Sequence, residues 1–151
     1  MTRCGQKARQ LVPDANVLAV SSYTTITEAF PLLGRIGGKT AVKKWDFFMT
    51  IAGVGAAFSM IADRVPDREQ PVVSEYIRLS LVSWDPEGYD ALRDFVLFVK
   101  RNVDGGVELP NAIGSWVIWN VKQAPPEAEE MSSAPAIGLL LLRSFATWWD
   151  E

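Results

Sequence analysis

The residues best placed to do chemistry run from Leu33 to Thr40. There Leu33-Gly34-Arg35-Ile36-Gly37-Gly38-Lys39-Thr40 ends in Gly-Lys-Thr ahead of an apolar helix. A phosphate-binding loop closes in the same way, with backbone N–H groups and a lysine surrounding the phosphates. The first glycine of that pattern would fall at position 33, which is leucine. Phe30-Pro31-Leu32 does not read as the buried parallel strand that should come first, and no apolar run ending in aspartate stands ready to hold magnesium. The segment reads as a glycine hinge followed by a helix start, and no cofactor is expected.

The chain has no histidine, so the standard serine and cysteine triads and histidine-based zinc sites are excluded in their usual form. Carboxylates remain. Glu127, Glu129 and Glu130 are the densest, but they occupy a proline-flanked stretch with no apolar wall to shift a pKa. Glu87, Asp90 and Asp94 share a helix face and read as solvated charge. No metal site is expected. Cys4 is the only cysteine and has no internal partner, which favours a reducing compartment. The basic start is interrupted by Leu11-Val12-Pro13-Asp14, which does not build the apolar core of a signal peptide, so a cytoplasmic location is expected.

The six tryptophans are more suggestive. Trp116 and Trp119 share a face at i, i+3, a pattern that fits core filler, the wall of a flat ligand site, or the anchors of a protein interface. Trp148 and Trp149 are adjacent, and neighbours on a helix diverge by about 100°, so one of them should meet a partner or another helix. The same holds for Leu139 through Leu142. Trp116, Trp119, Leu139, Leu142 and Trp149 are therefore the candidate interface residues.

The elements that must position these groups centre on Trp45 to Val65. Phe47, Ile51, Val54, Phe58, Ile61 and Val65 draw an apolar stripe at helical spacing, and Ala52, Gly53, Gly55, Ala56, Ala57 and Ser59 make the middle small. Two glycines there weaken the isolated helix by about 1 kcal/mol each, which close approach of neighbouring helices would offset. The uncharged run Phe47 to Ala62 falls slightly short of the roughly 17–20 residues needed to span a bilayer, so a buried hub is preferred to a membrane span.

Around the hub the sequence predicts further helices. Residues 1–13 read as a loosely ordered tail, and 15–20 as a short helix or a strand. Thr25-Ile26-Thr27-Glu28 reads as a capping box that starts a short helix. Val72 to Trp84 follows, then a helix started by Asp85-Pro86-Glu87, then one begun by Pro110. Residues 124–133 read as a mobile loop before a last helix through Trp149. The expected fold is all-α, an irregular bundle of about six helices around the central one, in a single domain of 151 residues.

A net charge of −3, from 15 basic and 18 acidic residues, argues against nucleic acid as a partner. Arg3, Lys7 and Arg9 read as a solvated basic tail. The functional expectation is a protein-interaction or accessory domain that associates with itself or another protein through apolar, tryptophan-rich surfaces. The alternative is a small-molecule-binding domain, or an enzyme using carboxylates, with a closed cavity lined by Trp45, Trp84 or Trp116.

Overall fold

The computed structural model describes residues 2–151 and is all-α, with no strand among them. Seven α-helices follow in order: α1 Arg3–Ala29, α2 Ala41–Ile61, α3 Gln70–Trp84, α4 Gly88–Asp104, α5 Leu109–Lys122, the single turn α6 Ala128–Met131, and α7 Ala134–Phe145. Short 3-10 turns join them, and one covers Trp148–Asp150 at the end.

The hub is α2. From Met49 through Ala57 every residue is buried, because α1, α4, α5 and α7 all lie against this helix. Its small residues set those distances. A Cβ on Gly53 would sit 3.3 Å from the Ala15 Cβ of α1, tighter than ordinary packing. A Cβ on Gly55 would enter the Phe95 ring of α4. Counting its flanking turns, the helical stretch Gly38–Arg64 is long and apolar enough to cross a membrane by length and composition, beyond what the run Phe47–Ala62 implied. Here its apolar middle is covered by the chain's own helices.

Of the expected loose tail, Met1 lies outside the described residues, and residues 3–13 are ordered helix. They belong to α1, which Thr2 caps by accepting a hydrogen bond from the Gly5 N–H at 3.1 Å. The helix buries Ala8, Leu11, Val12, Ala15, Ala19, Ser22 and Ile26. Pro13 lies inside it and lacks the N–H that would bond the Arg9 carbonyl, a defect of about 3 kcal/mol in a helix without tertiary support. Burial of the stripe on both sides of Pro13 carries the helix through. The Thr25 capping box does not form either: those residues lie within α1, and the Thr27 hydroxyl donates back to the Tyr23 carbonyl at 2.8 Å. Asn16 Nδ2 donates to Thr50 Oγ1 at 3.2 Å, and Tyr23 meets Trp45 edge-on at 5.9 Å, so α1 and α2 run antiparallel.

The stretch 124–133, expected to be a mobile loop, holds a built turn. Glu127 and Glu130 form a capping box around α6, and Glu130 is buried with Lys122 Nζ 2.5 Å away. The Asp85-Pro86 boundary holds, with α4 beginning slightly later: Asp85 Oδ1 accepts from the Glu87 N–H at 2.9 Å, and Gly88 opens the helix. The closest packing joins α5 to α7. A Cβ on Gly114 would land on the Ala134 carbonyl, and one on Gly138 on the Pro110 carbonyl, so the two backbones cross antiparallel in direct contact.

Candidate functional site

The residues expected at an interface do not share one surface. Trp116 is inside the core, with Phe48 at 5.5 Å and Phe95 at 5.1 Å, both edge-on, and its indole N–H donates to Asp94 Oδ2 at 2.9 Å. Trp149 is also buried in its own chain, as is Trp148. The argument that neighbours on one helix must diverge fails there because α7 ends at Phe145 and the chain re-enters as a 3-10 turn. Both rings then lie against α1. The Trp148 indole donates to Asp14 Oδ2 at 2.8 Å, Lys7 Nζ sits 4.7 Å over that ring, and the Arg3 guanidinium lies 5.0 Å over Trp149. The basic start of the chain is engaged in these contacts, and Arg9 stacks on Tyr76 at 5.7 Å.

Trp119 and Leu139 are exposed and Leu142 is half-buried. The antiparallel register, which sets Gly138 opposite Pro110, puts Leu139 near the first turn of α5. Trp119 stands about ten residues further along α5, roughly 15 Å away. These side chains make separate surface spots.

Titratable groups offer little chemistry. Burial, followed by the charge of Glu69, pushes the Cys4 thiol up, opposite to what an activated nucleophile needs. Burial likewise raises Asp46. Glu130 behaves differently: burial alone would raise its carboxyl. Hydrogen bonds from Lys122 and the Glu127 N–H, with the Lys122 charge, outweigh that and hold it below its ordinary value. Among the described residues no three carboxylates or thiols converge to hold a metal ion. Gly37 and Gly38 take φ of +89° and +65°, Lys39 is exposed, and Lys44 Nζ bonds the Gly37 carbonyl at 3.0 Å. The Gly-Lys-Thr segment forms a single 3-10 turn that leads into α2. Of the tryptophans expected to wall a cavity, Trp45 and Trp116 are core and Trp84 is half-buried, stacked on Phe47 at 5.4 Å; the Trp45 indole N–H is buried with no hydrogen-bond partner among the described residues.

A hollow beside α5 is lined by Trp116 and Trp119 together with Asp94, Phe98 and Pro125, and two further open features flank α3. This helix buries only Val73, Ile77 and Leu81, one narrow stripe. It packs mainly on α1 and touches α4 lightly. On its α1 side a shallow depression is lined by Arg9, Asn16, Val17, Leu79, Ser83 and Trp84, among others. Val17, Val20, Val72, Leu79 and Val82 are all exposed on α1 and α3. On its α4 side a trough of about 380 Å³ opens down to Gly55 and Phe58 of α2. Val96 and Leu97 stand exposed on its wall, although Tyr89, Leu92, Phe95, Val96, Val99 and Val103 form the apolar side of α4. Comparison with family models, with curated proteins and with solved structures found no match to this chain.

Proposed function

We propose that the protein acts through protein contacts, as an accessory or self-associating helical domain, and that the α1–α3 face is where a second copy docks. The observation carrying this reading is the depression between α1 and α3, where exposed Val17 and Leu79 line one surface, with Val20, Val72 and Val82 also exposed on the same two helices. Single exposed valines are ordinary, but a cluster on adjoining helices marks a contact surface. The depression between them has one charged lining residue, Arg9, and that side chain already lies over Tyr76. The other lining residues are uncharged, so a second copy would meet a mostly neutral surface there. At 1.5 Å per residue α1 is about 40 Å long, enough to contribute to the roughly 800 Å² per partner that a stable interface buries.

Sedimentation velocity over a wide concentration range tests the reading. The unmodified chain should associate, and the double variant Val17→Glu, Leu79→Glu should remain monomeric with its helical signal and melting midpoint intact. A chain that stays monomeric throughout, or a double variant that associates equally well, overturns it.

A further inference from the structure

We infer that the trough between α3 and α4 is a binding site for a single-chain anionic amphiphile, an apolar chain ending in a carboxylate. The site lies on the opposite flank of α3 from the self-association face and does not depend on it.

The floor is apolar and deep because α3 stands off from the hub. Gly55 lies at the base of the trough beside the buried Phe95 ring, and Phe58, Ile77, Leu92, Val96 and Leu97 supply the walls. The only charged side chains among the lining residues are two guanidinium groups, Arg78 on α3 and Arg93 on α4. No carboxylate lines the trough. Arg78 is held by Glu75 through a two-pronged salt bridge, whereas Arg93 makes no ion pair or hydrogen bond among the described residues. A ligand suited to this arrangement lays a hydrocarbon chain along the floor and turns a negative head to Arg93. The pairing is geometrically favourable because guanidinium and carboxylate form two parallel hydrogen bonds.

Size separates this occupant from a docked protein segment. Small-ligand sites typically measure about 300–1,000 Å³, and a trough of about 380 Å³ falls in that range. Ten residues line it, against the roughly 20–30 a side that a stable protein interface engages. The trough is large enough for a chain and too small for a helix to be held by it alone.

The test is titration calorimetry of the full chain with decanoate kept below its micelle concentration. Decyltrimethylammonium, acetate, an acidic amphipathic peptide and anionic phosphatidylglycerol vesicles serve as the other arms. Decanoate should bind saturably, at least about tenfold tighter than the cationic chain of equal length, and acetate should not bind. Arg93→Glu, an exposed change, should weaken decanoate by about tenfold or more and improve the cationic amphiphile, with the melting midpoint unchanged. Leu97→Asp should weaken both. No saturable decanoate binding overturns the proposal. So does equal affinity for the two head groups, or indifference to Arg93→Glu. Binding of the peptide alone would make the occupant a protein segment, and binding of vesicles alone would make it a lipid surface; either result also overturns it. The Val17→Glu, Leu79→Glu variant should bind decanoate normally, which separates failure here from failure of the self-association face.

Discussion

The α5–α7 pair and the α3–α4 pair are both antiparallel neighbours in the same bundle, and they are built on opposite terms. Between α5 and α7 the glycines Gly114 and Gly138 let each backbone press on the other's carbonyl, and Ile113, Ile118, Ile137 and Leu141 are sealed around them. Between α3 and α4 there is a glycine too, but Gly55 belongs to the helix beneath, and what it admits is the Phe95 ring. The ring wedges α4 against the hub without drawing α3 in behind it. Small residues close a seam when they face backbone, and they leave room beside it when they face a side chain.

The largest test of that contrast is a pair of methyl groups. Gly114→Ala or Gly138→Ala puts a Cβ onto a main-chain carbonyl that cannot turn aside. Each should lower stability by about 3 kcal/mol or more in urea unfolding, or prevent folding. Gly55→Ala meets a side-chain ring, which can shift where a main-chain carbonyl cannot, and alanine regains about 1 kcal/mol of helix propensity. Its net loss should be about 1 kcal/mol or less. If the three variants lose equal stability, the contrast fails.

A second comparison sets the ion pair in the tight half against the one in the loose half. Lys122–Glu130 is largely buried at the end of α5, whereas Glu75–Arg78 lies in solvent on α3. Glu130→Gln should lower stability by about 2 kcal/mol at neutral pH. Because the folded Glu130 carboxyl sits below its unfolded value of about 4.3, this contribution is complete above that pH and is lost as pH falls through the lower, folded value. The gap between the native chain and Glu130→Gln should therefore close in acid, as read from unfolding midpoints across pH. Glu75→Gln should leave stability unchanged within measurement.

The smallest expected effect sharpens the contrast most. Leu97 is large and apolar yet 54% exposed, so Leu97→Ala should shift stability by no more than about 0.5 kcal/mol. Ile137, fully buried in the α5–α7 seam, should lose about 3 kcal/mol on the same truncation. A costly Leu97→Ala would mean that the trough wall is sealed in solution.

The all-α architecture and its hub were legible because the signals were local: bulky apolar residues at helical spacing, and prolines at helix starts. The full length of α1 is hard to read because half of its stripe is alanine. Ala8, Leu11, Val12, Ala15, Ala19 and Ile26 keep the period without the bulk that draws attention, and Pro13 masks their continuity. Alanine at position 15 is what lets α1 approach Gly53. The α6 turn was missed because Glu127 caps it in place of the usual serine or threonine, and because its anchor, Lys122, lies on the preceding helix. The burial of Trp149 was beyond pattern reading, since it depends on Arg3 at the far end of the chain. The candidate site was the least legible part. Tryptophan spacing points to Trp116 and Trp119, which do line one hollow, whereas the features beside α3 are walled largely by valines and leucines at no distinctive spacing.

The clasp of Lys7 on Trp148 spans 141 positions. At about 5–20 residues per second of synthesis, α1 waits on the order of ten seconds or more on the ribosome before its tryptophan cover has even been made. For that interval its alanine face must be shielded by α2 and α3 or by a chaperone, so the seal between the two ends is a late event in the life of each new molecule.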